Sequence, residues 1–164
     1  MSIKVPLPIV LVVAIALGLV TPVLAQFNQG SDQREWPSSD RQAIQRVLGL
    51  YEASFIARDI EQRMALCTGA YHEYAFERGD FVFAKNYDET KRDVGRYWVG
   101  LRSLEYSMDD VEIAVDGPMA FVKAYTTHVA PGDSHTSVVY FAMVKIDRRW
   151  WIAWDSYNII RRFE

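Results

Sequence analysis

The stretch that decides the fold is HTSVVYFAMVKIDRRWWIAWDSYNII, residues 135–160. Two runs rich in β-branched and aromatic residues, 135–146 and 150–160, flank the short polar segment DRR. Runs of this composition that are separated by a tight polar turn are typical of a β-hairpin. The segment therefore predicts two long antiparallel strands that pair with each other at the C-terminus.

The same pattern continues upstream. Between residues 104 and 130 apolar and polar residues alternate, which is typical of strands. The turn signals DGP at 116–118 and PGDS at 131–134 divide this region. Strands that follow one another through such tight turns form an antiparallel meander.

The N-terminal half predicts helices. A long amphipathic helix is expected at about 40–58, where Ile44, Val47, Leu48, Tyr51 and Phe55 repeat at helical spacing. Asp59 is expected to cap a short second helix that ends at Gly69, and Asp88 to start a third. The aromatic segment 71–84 between them predicts a short hairpin or two strand fragments. Helices first and strands afterwards indicate an α+β domain with the helices on one face of the sheet.

This order of elements resembles the NTF2-like superfamily, and within it the SnoaL-like group. YEASFIARD at 51–59 is similar to the end of the family's first helix, and DRRWWIAWDSYN at 147–158 to its last strand. The resemblance implies a domain at 39–164 in which a curved antiparallel sheet forms a cone around about three N-terminal helices. One sheet face would line a pocket, and the other would serve as a dimer interface.

The resemblance also implies pocket residues. It matches pocket-facing positions to Lys123, Phe141 and Tyr157, and period-two alternation groups Phe121, Tyr125 and Trp151 with them. Tyr71 and Tyr74 lie where the family narrows its cavity. We therefore expect a small hydrophobic or aromatic ligand to contact Tyr71, Tyr74, Phe121, Lys123, Tyr125, Phe141 and Trp151.

Asp155 and Tyr157 are the candidate catalytic residues, because family enzymes use an Asp base or a Tyr donor. A partly desolvated Asp155 would have a raised pKa and could act as a base. The alternative is that Asp155 pairs with Lys123 or points at water. Three functions stay open: ligand binding without chemistry, a cofactor-free isomerase, cyclase or dehydratase, and an anchored component of a secretion-type assembly.

Residues 1–25 predict a secretory signal peptide. Lys4 precedes an apolar run at 5–20, and small or aliphatic residues lead to a cleavage site after Ala25. The protein is then exported, either periplasmic or secreted, with a polar leader at 26–38. The alternative is an uncleaved membrane anchor at 5–25.

Composition excludes several classes. The net charge of −3 and the lack of a basic cluster argue against nucleic-acid binding. The histidines, His72, His128 and His135, are scattered, so no metal site is predicted, and His128 is expected outside the pocket. No Gly-rich phosphate loop is present, so no cofactor is predicted.

The outer sheet face predicts a homodimer. Alternation groups Val138 with Tyr140, and Trp150 with Trp154, as an apolar patch. An exposed patch of this kind usually marks an interface, so we expect two copies to pair through it.

Overall fold

The computed structural model describes residues 38–163, which form three helices and six strands. The helices are α1 (Ser38–Ala57), α2 (Ile60–Met64) and α3 (Tyr87–Gly100). The strands are β1 (Cys67–Glu77), β2 (Asp80–Asn86), β3 (Glu105–Asp116), β4 (Met119–Ala130), β5 (Asp133–Ile146) and β6 (Arg149–Phe163).

Local capping explains where the shorter helices begin. The Asp59 side chain accepts a hydrogen bond of 2.9 Å from the Gln62 amide and caps α2, as predicted. Helix α3 begins one residue before the predicted Asp88, because Asn86 and Glu89 form a reciprocal capping box. The prediction that α2 extends to Gly69 is wrong, since Gly69 lies in β1.

The strands form one sheet in the order β2-β1-β6-β5-β4-β3. Neighbouring strands are antiparallel except β1 and β6, which are parallel. This pairing brings the N-terminal hairpin β1–β2 alongside the C-terminal meander, which sequence alternation did not indicate.

The β5–β6 turn uses two non-glycine residues in the left-handed region. Asp147 and Arg148 have φ angles of 50° and 65°. Two consecutive positive φ angles match the twist of a tight hairpin, and aspartate tolerates this conformation better than most residues do. The predicted turn DRR is therefore confirmed.

A bulge in β6 changes which of its residues face the helices. Ile152 pairs with Met143 and Trp154 pairs with Ala142, so Ala153 is an extra residue. Trp150 and Ile152 are buried before the bulge, and Asp155 is buried after it. The prediction that Trp150 lies on the outer face is wrong, because simple alternation cannot follow a bulge.

On β4 the predicted pocket face is the wrong one. Val122 and Ala124 are fully buried, as is Phe141, the partner of Val122 on β5. Phe121, Lys123 and Tyr125 alternate with these residues and therefore lie on the opposite face. Both sets are largely apolar, so the sequence offered no clear signal for the choice.

The core lies between the inner sheet face and α1. It includes Ile44, Leu48, Tyr51, Val122, Phe141, Met143, Trp150 and Ile152. No helix within residues 38–163 combines the length and apolar composition needed to cross a bilayer. The segment 1–25 predicted to direct export lies outside the described residues, as does the leader predicted at 26–38 except for Ser38, the first residue of α1.

Candidate functional site

A cavity of about 400 Å³ opens between the inner sheet face, α1 and α3. Its volume lies in the range of small-molecule sites. The wall is rich in aromatic residues, which include Phe55, Phe76, Phe83, Tyr97, Trp98, Tyr106 and Tyr157. Polar side chains form two groups on this wall, one around Arg63 and one around His128.

The first group, which we call the arginine cluster, consists of Tyr51, Arg63, Tyr71, Glu73 and Asp155. Arg63 is only 1 % exposed, and its Nη2 donates to Glu73 Oε1 at 2.8 Å. The same nitrogen lies 3.2 Å from the Tyr51 hydroxyl, 3.3 Å from the Tyr71 hydroxyl and 3.6 Å from Asp155 Oδ2. Buried charges persist when they are paired in this way.

Asp155 is the least satisfied member of the arginine cluster. Its Oδ2 accepts a hydrogen bond of 2.8 Å from the Tyr51 hydroxyl, whereas its buried Oδ1 has no hydrogen-bond partner among the described residues. Desolvation, followed by the nearby Glu73 carboxylate, raises the pKa of Asp155 to about 6, and Arg63 opposes this shift. The cluster therefore takes up a proton below that pH.

The second group, which we call the histidine network, consists of Glu77, Tyr97, His128, Asp133, His135 and Arg162. The Tyr97 hydroxyl lies 3.2 Å from Asp133 Oδ2 and 3.1 Å from His128 Nε2. Asp133 Oδ1 accepts from His135 Nδ1 at 3.1 Å and from Arg162 Nη1 at 2.9 Å. Arg162 Nε also donates to Glu77 Oε1 at 2.8 Å.

His128 and His135 are cross-strand partners on the cavity face. Their rings stack with centroids 4.8 Å apart and an interplanar angle of 13°. Burial, together with the adjacent His135, lowers the pKa of His128 to about 4. His128 is therefore a neutral imidazole at pH 7.

One hydroxyl on the cavity wall has no partner. Ser137 is 1 % exposed and pairs with Thr126 across β4 and β5, one inward position along from the His128–His135 pair. Its Oγ has no hydrogen-bond partner among the described residues. An unpaired buried hydroxyl is unfavourable.

The candidate residues from the sequence divide into two sets. Tyr157 lines the cavity, while Asp155 lies behind Tyr51 and Arg63, which form the wall in front of it. Tyr71 and Phe141 are fully buried on the same sheet face, within the core. Their assigned roles stay predictions.

The other set lies away from the cavity. Phe121, Lys123, Tyr125, Tyr74 and Trp151 are absent from its wall. The prediction that Lys123 pairs with Asp155 is wrong, because Lys123 Nζ lies 2.8 Å from Glu112 Oε1 on the neighbouring strand. Trp151 packs under Arg149, whose guanidinium carbon lies 4.0 Å from the ring centroid.

Several cavity residues were missed from the sequence. Arg63 sits in a helix of five residues, where nothing in the pattern marks it as buried. His128 was assigned to the outer face, although it shares an alternation set with the buried Val122 and Ala124. The sequence did carry one usable signal. This set of alternating residues begins with an apolar run and ends with two polar residues, Thr126 and His128.

Comparisons with solved structures establish the fold. A Streptomyces avermitilis protein, provisionally described as a dehydratase of the NTF2-like family, superposes with a TM-score of 0.64 at 14% identity, covering 77% of this chain and 99% of that chain. A Novosphingobium aromaticivorans protein, provisionally described as a scytalone dehydratase, superposes with a TM-score of 0.66 at 14% identity, covering 76% of this chain and 87% of that chain. An NTF2-like protein of unknown function from Shewanella oneidensis superposes with a TM-score of 0.57 at 20% identity, covering 73% of this chain and 98% of that chain.

The chain therefore has the NTF2-like fold, and the predicted α+β cone is confirmed. No family model and no curated protein matches the sequence. Placement in the SnoaL-like group stays a prediction, because likeness at these identities defines a fold and not an activity.

Proposed function

We propose that this domain binds a small, largely apolar ring compound in the cavity. The observation that carries this proposal is the cavity itself, about 400 Å³ in volume with a wall rich in aromatic residues. Small-molecule sites combine apolar walls with a few placed polar groups. Here the polar groups of the wall include Tyr157, Thr126 and His128, beside the paired charged residues.

The aromatic residues of the wall form two groups of contacting rings. Phe55 stacks on Tyr106 with centroids 4.2 Å apart and meets Trp98 edge-on at 5.0 Å. On the other side, Phe83 meets Tyr157 edge-on at 6.2 Å. Rings held by such contacts keep their orientation, which favours a flat ligand that can stack on them.

Charge pairing argues for a ligand without negative charge. Each cation of the described cavity wall already has a carboxylate partner. Arg63 lies 2.8 Å from Glu73, Lys85 lies 3.3 Å from Asp93, and Arg162 lies 2.8 Å from Glu77. An anionic ligand would have to break one of these pairs or remain uncompensated in an apolar site, which is unfavourable.

The test compares 2-naphthol with 2-naphthoate, by tryptophan fluorescence and by calorimetry. We expect the neutral naphthol to bind and the carboxylate to bind more weakly. Val94→Trp should fill the cavity from α3 and weaken naphthol binding at least about tenfold, or about 1.4 kcal/mol. Val99→Trp, on the same helix at a position that is 90% exposed, is the matched control. Equal binding by the two variants would refute the assignment.

A second candidate is acid–base catalysis of the isomerase or dehydratase kind on the bound compound. It is favoured by the histidine network, which places a neutral imidazole and a tyrosine hydroxyl on the cavity wall. Two proteins of the same fold are provisionally described as dehydratases. Asp155 and Tyr157 are the catalytic residues that the sequence suggests, but the Asp155 carboxyl is shielded from the cavity by Tyr51 and Arg63.

A further inference from the structure

The histidine network joins five elements around the cavity. Its members, all of which line the cavity, are Glu77 of β1, Tyr97 of α3, His128 of β4, Asp133 and His135 of β5, and Arg162 of β6. Tyr97 is the one member that comes from a helix, so its hydroxyl is the link of this network between α3 and the sheet. The contacts of this hydroxyl therefore help to hold α3 over the cavity.

The protons of the network follow from its donors and acceptors. Hydrogen bonding from His135 is the main influence that holds the pKa of Asp133 well below its usual range, so Asp133 is an ionised acceptor. Burial raises the pKa of Tyr97 to about 12, so its hydroxyl keeps its proton and donates it to Asp133 Oδ2 at 3.2 Å. The 3.1 Å contact between this hydroxyl and His128 Nε2 then requires a proton on that nitrogen.

A second proton on His128 is poorly accommodated in this arrangement. It would lie on Nδ1, which makes no hydrogen bond with the described residues, and His128 is only 7% exposed. The ring also stacks on that of His135 with centroids 4.8 Å apart, so protonation of both histidines in acid would place two cations face to face. A buried charge without a partner is unfavourable, and burial accordingly lowers the pKa of His128 to about 4.

The groups on the neighbouring strands compensate little of this cost. The cross-strand partner of His128 on β3 is Tyr106, which is uncharged because burial raises its pKa. Arg162 adds a positive charge, and Glu77 is already paired with it at 2.8 Å. Asp133 attracts a proton on His128 but already accepts hydrogen bonds from three other members of the network. His128 therefore takes up a proton more readily where water can reach it.

Tyr97 on α3 is the part of this environment that can move. Its ring covers that of His128 with centroids 6.1 Å apart and an interplanar angle of 25°. His135, in contrast, is fixed beside His128 by the pairing of β4 and β5. A second tie between α3 and the sheet, the ion pair of Lys85 and Asp93 at 3.3 Å, is partly exposed and therefore weak. Movement of α3 away from the sheet would thus bring water to His128.

We propose that the histidine network is an acid-sensitive latch: in an acidic medium His128 takes up a proton, water enters around it, and α3 with Tyr97 moves away from the sheet and releases the bound compound. This inference rests on the proposed binding function and adds its regulation. The direction follows from linkage, because the open state solvates His128 and binds the proton more tightly, and a fall in pH favours the state that binds more protons. Asp155 acts in the opposite direction, since burial raises its pKa and the folded state holds its proton.

The release is tested by calorimetry with 2-naphthol, which is uncharged at both pH 7 and pH 4.5. We expect the wild-type protein to bind at least about tenfold more weakly at pH 4.5, because the open state binds one more proton. His128→Gln keeps a donor for Tyr97 but cannot become charged, so its affinity should be the same at both pH values. His72→Gln, which changes an exposed histidine away from the cavity, is the matched control and should follow the wild type.

The movement is tested without ligand by amide hydrogen exchange, after correction for the intrinsic pH dependence of exchange. We expect α3 to be less protected at pH 4.5 than at pH 7, while α1 keeps its protection and reports that the domain is still folded. In His128→Gln the protection of α3 should be equal at the two pH values. Tyr97→Phe lacks the hydroxyl link, so its α3 should be less protected than that of wild type already at pH 7.

Failure of the latch and failure of the proposed function are distinguishable. If 2-naphthol binds at pH 7 and wild type keeps this affinity at pH 4.5, or if His128→Gln loses affinity as wild type does, the latch is wrong and the binding function stands. Equal protection of α3 at the two pH values in wild type would also overturn the latch. If 2-naphthol binds at neither pH, the proposed function is wrong and ligand release falls with it.

Discussion

The phenolic oxygen of Tyr51 on helix α1 lies 2.8 Å from Oδ2 of Asp155 on strand β6. Tyr51 and Arg63 line the cavity, whereas Asp155 is completely enclosed behind them. The contact ties the long helix to the last strand of the sheet through a buried polar group. It gives Asp155 a buried structural position away from the cavity surface.

We expect Asp155 to make stability depend on pH. Its pKa is raised to about 6 in the folded protein, while an unfolded chain has a value of about 3.9. Between these values the folded state binds more protons, so the free energy of unfolding should fall as the pH rises from about 4 to about 6. The variant Asp155→Asn has no carboxyl group at this position, so it lacks this contribution to the pH dependence of the free energy of unfolding.

The measurement is urea unfolding of both proteins at several pH values across that range. The quantity to compare is the difference in the free energy of unfolding between wild type and Asp155→Asn. Carboxyl groups whose pKa is lowered, such as Asp133, contribute equally to both proteins and cancel in this difference. The variant should gain stability relative to wild type as the pH rises. A constant difference across the range would show that Asp155 does not take up the proton.

Arg63 should be the most sensitive charged residue. Arg63→Met strands the buried Glu73 carboxylate, which Arg63 Nη2 contacts at 2.8 Å. Breaking a buried ion pair by removing one partner costs about 3–5 kcal/mol. The double variant Arg63→Met, Glu73→Gln should recover part of this loss, because the stranded charge is gone.

The control for Arg63 is Lys91→Met, which removes a cation from a surface pair with Glu61 at the same distance of 2.8 Å. Its thermal unfolding should resemble that of wild type, since exposed pairs contribute little. If Arg63→Met unfolded at the same temperature as the Lys91→Met control, the result would contradict a stabilising role of the arginine cluster.

We propose that the protein forms a homodimer through the outer sheet face, although Trp150 is not part of that face. Trp154 is partly buried there and pairs with Ala142 on β5, the strand that also carries Val138 and Tyr140. Light scattering at micromolar concentration should give twice the monomer mass, and Trp154→Glu should reduce it to the monomer mass. A wild-type monomer would refute this prediction.

We also propose export with cleavage after Ala25. The apolar run at 5–20 followed by TPVLA supports it. Intact-mass spectrometry of protein purified from its own host should give a chain that begins at Gln26. A chain that begins at Met1 and requires detergent for extraction would instead support the anchored alternative.

The order and type of the elements could be predicted from the sequence because each depends on local patterns. Helical spacing in α1, the cap at Asp59 and the turn at 147–149 are set by nearby residues, and the structure confirms them. That order indicates an α+β domain, and its resemblance to the NTF2-like superfamily led to the prediction of the NTF2-like fold.

The candidate site depended on tertiary structure. Alternation divided the residues of β4 between two faces. It did not show which face packs on α1, because both faces carry apolar residues. The bulge at Ala153 reversed the faces of β6 between Trp150 and Asp155, and it is defined only by the pairing with β5.

The sequence by itself therefore determined the elements and their order. Tertiary structure decided that Lys123 pairs with Glu112 rather than Asp155, that Arg63 is buried between Glu73 and Asp155, and that His128 faces the cavity. The physical reason is that local structure follows from neighbouring residues, whereas burial and charge pairing follow from which distant strands meet. Only the folded chain brings Arg63, Glu73 and Asp155 within hydrogen-bond or ion-pair distance.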